Sequence, residues 1–165
     1  MKNNNIQNTL DALLNSLQPY PNMRFLLFTS KWEEAEETLS NFCALNGHEI
    51  QLYMMGDRFD IDKDTNHYIK IKPYKKGQPR YNLHGRLYDY VFIFDKIEED
   101  DIFKRLYSSI ANGGRVYILM QKDEYRLKYS LQEIMSEANY LSFSDIEIDK
   151  NSIFFSAKKM HGWGG

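Results

Sequence analysis

Residues 24–53, RFLLFTSKWEEAEETLSNFCALNGHEIQLY, change hydrophobic period twice and constrain the fold more than any other stretch. RFLLFTS is a short, continuous apolar run, the pattern of a strand buried on both faces. The charged segment after it carries Glu33, Glu34, Glu36 and Glu37 in the first turns of a helix, where the helix dipole favours anions. Ser30 is expected to cap that helix, with Glu33 three residues on as in a capping box. Gly47 ends it, and HEIQLYMM reads as a second strand. A strand, a crossover helix and a second strand make a parallel pair.

The rest of the chain keeps this grammar. Ile6, Leu10, Leu13, Leu14 and Leu17 share a helical face, closed by Pro19 and Pro21. GDRFDIDKDTN, residues 56–66, reads as a polar loop and HYIKIKPY as a third strand near an edge. KKGQPRYNLHGR reads as a basic loop and YDYVFIFD as a fourth strand. EEDDIFKRLYSSIA is expected as a helix, with Ile102, Leu106 and Ile110 on one side and Asn112-Gly113-Gly114 stopping it. RVYILMQ is a fifth strand and RLKYSLQEIMSEANY a helix. LSFSDIEID and SIFFSAKK are two strands joined at Lys150-Asn151. Alternation of this kind gives one α/β domain, a mostly parallel twisted sheet with helices on both faces and a C-terminal antiparallel hairpin. The expected organisation is an N-terminal helix over 1–20, the α/β domain over 21–159 and a glycine-rich tail over 160–165.

A chain of 165 residues suits one domain and hides about 70% of its unfolded surface. A net charge of -2 does not by itself point to nucleic acid or membrane. Cys43 is the single cysteine, which rules out an intramolecular disulfide and reads as a small buried hydrophobe near a helix end. MKNNNIQNTLDALLNSL has no signal-peptide pattern, and no window approaches the ~18 apolar residues of a membrane helix. The sequence reads as a soluble, cytoplasmic protein.

Three groups are candidates for chemistry. Asp57, Asp60, Asp62 and Asp64 have the spacing that starts a calcium loop, but Thr65 and Ile71 stand where its glycine and glutamate belong, so a solvated loop is expected and no metal. Asp95 ends the fourth strand, where open α/β sheets hold ligands; it is a candidate general base or polar contact, or an ordinary helix cap. Residues 67–88 carry Lys70, Lys72, Lys75, Lys76, Arg80 and Arg86 without an acid, interleaved with Tyr68, Tyr74, Tyr81 and Tyr88. Bases attract phosphates and tyrosines stack on nucleobases, which suits an anion, nucleotide or RNA; lysines also guard an edge strand against pairing. His48, His67, His84 and His161 have no metal-ligand spacing.

The order Tyr88-Asp89-Tyr90-Val91, helix, Asn112-Gly113-Gly114, strand, Ala138-Asn139-Tyr140 and hairpin ending Ala157-Lys158-Lys159 resembles the class I S-adenosylmethionine-dependent methyltransferases. The resemblance implies a Rossmann-like fold and S-adenosylmethionine as cofactor, with Thr29, Ser30, Met55, Asp57 and Asp95 at the matching positions. The first half departs from that pattern. The family's glycine-rich loop after the first strand is replaced by Thr29-Ser30-Lys31-Trp32, and the second strand ends Tyr53-Met54-Met55-Gly56 without its acid before Asp57. Glycine there permits positive φ and close backbone approach to a ligand. The expectation is therefore a methyltransferase-like domain that binds a small molecule or protein partner without catalysis, in a cleft at 54–57, 73–75 and 95–97. The alternatives are a methyltransferase with a divergent donor site, and RNA or nucleotide binding through 67–88.

Overall fold

The computed structural model describes residues 4–17, 21–56, 69–82, 85–99 and 101–160. Its elements are α1 (Asn4–Ser16), β1 (Arg24–Thr29), α2 (Glu34–Asn46), β2 (Glu49–Met54), β3 (Ile69–Pro73), β4 (Tyr88–Ile93), α3 (Ile102–Tyr107), β5 (Ile110–Gln121), α4 (Tyr125–Glu137), β6 (Tyr140–Glu147) and β7 (Ser152–Lys159). The seven strands form one sheet in the order β3-β2-β1-β4-β5-β7-β6. Strands β1 to β5 pair in parallel, and β7 lies antiparallel between β5 and β6.

Every residue of β1 is buried, as a continuous apolar run requires at the centre of a doubly covered sheet. Alternate residues feed two cores. Phe25, Leu27, Ile50, Leu52 and Phe92 face α1 and α2, where Leu10, Leu14, Leu39 and Cys43 close over them. Leu26, Phe28, Tyr53, Val91 and Ile118 face the other way, against Ile102, Phe103 and Leu106 of α3, Met135 of α4 and the ring of Tyr81. Between β3 and β4 the described segments 74–82 and 85–87 hold no helix, and Tyr81 with its neighbours covers the sheet there. Its backbone carbonyl accepts from the hydroxyls of Tyr53 (3.0 Å) and Tyr88 (2.7 Å).

Four local expectations change. The cap of α2 is Glu33, not Ser30: its side chain accepts from the Glu36 N–H while the Glu36 carboxylate accepts from the Glu33 N–H. The Ser30 hydroxyl is spent on the Asp95 carboxylate instead. The 98–111 helix is shorter, ending at Tyr107, and Ile110 already pairs with Tyr88. Asn112-Gly113-Gly114 is thus not a helix stop but the crest of a bulge in β5, which rejoins β4 at Arg115 opposite Tyr90. Gly113 takes φ +79°, and a Cβ on Gly114 would stand 2.5 Å from Ile110 Cγ2. The β6–β7 connection spans residues 148–151, where the Asp149 carboxylate accepts from the Asn151 and Ser152 N–H groups (both 2.8 Å), so it is longer than the Lys150-Asn151 turn read from the sequence. Gly47 ends α2 in the left-handed conformation, as expected.

Candidate functional site

Neighbouring strands β1 and β4 send their connections in opposite directions, to β2 and to β5. Their carboxyl ends therefore form the switch-point crevice where open α/β sheets bind ligands. In this chain the crevice is crossed by the protein's own side chains. The buried Thr29 hydroxyl donates to Glu36 Oε2 (2.6 Å), and Glu36 Oε1 accepts from the Glu33 N–H (3.0 Å). Glu36 is only 1% exposed, so both oxygens of a buried carboxylate are spent holding this turn. Across the crevice, the Ser30 hydroxyl donates to the Asp95 carboxylate beyond β4, whose second oxygen accepts from the Lys96 N–H (3.0 Å). No residue from 29 to 33 adopts a positive φ. Lys31 reaches Glu33 at 3.3 Å in an exposed pair that contributes little.

Two clefts open beside this bridge. One, of about 550 Å³, lies between the start of α2 and α1, with Ile6, Phe94 and Leu119 as apolar walls and Glu33, Glu34 and Glu37 at its edge. The other, of about 280 Å³, lies between α3 and α4, lined by Asp95, Lys96, Phe103, Leu127 and Leu131. Lys31, Phe94 and Leu119 border both, so the two meet at the end of β4.

The expected site residues fall into separate places. Thr29, Ser30 and Asp95 gather at the crevice. Residues 95–97 line the smaller cleft, whereas residues 54–56 and 73–75 border neither cleft. Met55 instead extends the ladder, its N–H donating to the Thr29 carbonyl (2.8 Å), and Tyr74 does the same to Met54 (2.8 Å). Asp57, Asp60, Asp62 and Asp64 lie outside the described residues, as do Tyr68, His67, His84, His161 and the tail beyond Met160. Among the described residues no three metal-ligating side chains cluster. Lys70, Lys75, Lys76 and Arg80 are exposed and Lys72 half-buried on β3 and the turn after it, away from both clefts. Tyr81 and Tyr88 are buried in the core, so their rings are not available for stacking on a base. Cys43 is fully buried, and burial pushes its thiol far above the ordinary range, which makes it an inert core residue.

Sequence reasoning missed Glu36, Glu99 and Arg105. Glu36 differs from the other glutamates of its run only by lying three residues after Glu33, the spacing of an N3 partner. Glu99 accepts from the Gly77 N–H (2.6 Å) and from Arg105 (2.8 Å), and Arg105 also donates to the Gln78 carbonyl (2.9 Å). This clamp fixes the basic turn onto α3 across more than twenty residues, and no local pattern announces it.

No family model matches the sequence, and no curated protein matches it. Solved structures do match. Phosphoethanolamine N-methyltransferase 2 of Haemonchus contortus, in complex with S-adenosyl-L-methionine, superposes with a TM-score of 0.67 at 13% identity, over 94% of this chain and 53% of that one. The N-methyltransferase NodS of Bradyrhizobium japonicum gives 0.62 at 11% identity, over 97% and 99%. A protein of Streptococcus thermophilus described as a putative hemolysin gives 0.68 at 10% identity, over 97% and 67%. The chain spans about half the length of the first of these. Identities this low speak to fold alone. Strand order, the inserted antiparallel β7 and these superpositions agree: the chain has the fold of the class I S-adenosylmethionine-dependent methyltransferases.

Proposed function

We propose that this chain is a methyltransferase-fold protein that acts in the cytoplasm by binding a ligand or protein segment in the paired clefts beside β4, without methyl transfer. The observation that carries this reading is the bridged crevice. The Thr29–Glu36 and Ser30–Asp95 hydrogen bonds occupy the turn where the fold's relatives need bare backbone, and no residue there has a glycine-like φ. These residues do not fit S-adenosylmethionine held in the family's manner. A cleft of about 550 Å³ falls within the usual size of small-molecule sites. Calorimetric titration with S-adenosylmethionine and S-adenosylhomocysteine tests the reading. No heat at millimolar ligand is expected, and micromolar binding together with methyl transfer to any acceptor overturns it.

A second reading is a methyltransferase with a rebuilt donor site. The likeness to methyltransferase structures supports it equally, and Asp95 at the mouth of the smaller cleft is where an acceptor contact belongs. Methyl transfer depends mainly on holding two partners in line, so few side chains need be dedicated to it. The same titration separates the two readings.

A further inference from the structure

The basic segment is untouched by the reading of the clefts, and its geometry points to a ligand of its own. We propose that β3 and the turn after it bind the phosphodiester backbone of a nucleic acid strand through charge, without base stacking.

Residues 69–82 contain Lys70, Lys72, Lys75, Lys76 and Arg80 and no acid. Strand register sets their geometry. Gln51 pairs with Lys70 and Tyr53 with Lys72, so both lysines project on the sheet face of Tyr53, about 7 Å apart along the strand. Tyr81 packs on that same face, which brings the 74–82 segment to the side of Lys70 and Lys72. Lys75 and Lys76 flank a turn that is not free to swing, since the Gly77 N–H is tied to Glu99 and the Gln78 carbonyl to Arg105. Among the described residues, two of the neighbouring acids are already committed. Glu99 is buried against Gly77 and Arg105, and Asp101 pairs with Arg105 at 2.5 Å. Among the described residues, none of the five cations takes part in an ion pair.

Five cations within eleven residues, none in an ion pair with another described residue, attract a polyanion whatever the charge of the whole chain. The same register argues against a membrane. Ile71 is 46% exposed but points to the opposite face, so it is not placed beside Lys70 and Lys72 to enter a lipid surface with them. Burial of Tyr81 and Tyr88, and the packing of half-buried Tyr74 edge-on against Phe28, remove three of the described stacking platforms and favour the phosphates as the recognised group.

Fluorescence anisotropy with a labelled 20-nucleotide oligouridylate tests this. With five phosphates neutralised, log K should fall with log salt at a slope of about -3.5, or roughly a hundredfold between 50 and 200 mM salt. K75E/K76E should weaken binding more than about tenfold and flatten the slope by about 1.4. K70Q/K72Q should flatten it by a similar amount, and provides a second variant if the first does not fold. R126E/K150E changes two exposed cations elsewhere and should leave the slope unchanged. Absence of binding at 50 mM salt overturns the proposal, as does equal loss in R126E/K150E. Binding to phosphatidylserine vesicles with none to the oligonucleotide overturns it in favour of a membrane surface. None of these outcomes depends on what the clefts hold.

Discussion

Glu36→Ala tests whether the turn after β1 is held by its own side chains. The wild-type carboxylate is 1% exposed and accepts two hydrogen bonds, from Thr29 at 2.6 Å and from the Glu33 N–H at 3.0 Å. Hydrogen bonds to a charged acceptor contribute about 1.5–3 kcal/mol each. Part of that is recoverable in the variant. The Thr29 hydroxyl can turn to the Lys31 carbonyl, already 3.1 Å away, and Glu33 is exposed, so water can meet its N–H. The expected net loss is about 2–3 kcal/mol, a large share of a total of ~5–15 kcal/mol. In a domain of this size it lowers the melting temperature by roughly 5–10 °C. Urea unfolding of wild type, E36A, T29V and the double variant measures it. If the hydroxyl and carboxylate act as a pair, the double-mutant cycle gives a coupling of about 1–2 kcal/mol. An E36A loss below about 0.5 kcal/mol, or strict additivity with T29V, refutes the claim that this turn is occupied by an internal network.

Three other outcomes follow from the packing. His48 is buried against the rings of Phe25 and Phe42, its Nδ1 accepts from the Met23 N–H (3.1 Å), and burial lowers its pKa against a smaller opposing pull from Asp89. The unfolded chain therefore takes up the proton first, and stability present above the ordinary histidine pKa of about 6.5 falls as the pH drops below it. Thermal melts between pH 7.5 and 5 should show this slope in wild type and lose it in H48Q. Gly114→Ala places a Cβ 2.5 Å from Ile110 Cγ2 and 2.9 Å from the Ala111 carbonyl oxygen, and should cost about 1–3 kcal/mol by urea unfolding; a neutral change refutes the close approach. Cys43 should resist a maleimide reagent in the native protein and react at once in denaturant, and rapid native labelling contradicts its burial.

The sequence determined what local period can encode. RFLLFT reads as a strand covered on both sides because six consecutive residues are buried there, and the α1 stripe points Leu10 and Leu14 into the core because residues four apart share a helical face. Gly47 marks the end of α2 because the chain there needs φ +70°. The glycine-free turn and Asp95 were also visible as unusual features, each in its own place.

Only the tertiary structure decided how distant residues meet. Ser30 and Asp95 stand 65 residues apart, and their contact exists because β1 and β4 are neighbours. The same is true of the Glu99–Arg105 clamp on the basic turn, and of Lys70 and Lys72 sharing the Tyr53 face. Tyr81 and Tyr88 have the sequence context of surface aromatics, yet they are buried in the core on the face of Phe28 and Tyr53, where the described residues between β3 and β4 form no helix. Asn112-Gly113-Gly114 has the look of a helix stop but became a bulge, because Ile110 had already found Tyr88 as its partner. A local pattern states which face of an element is apolar. Which element meets that face depends on the packing of the whole sheet, and on that depend the candidate site and the basic surface.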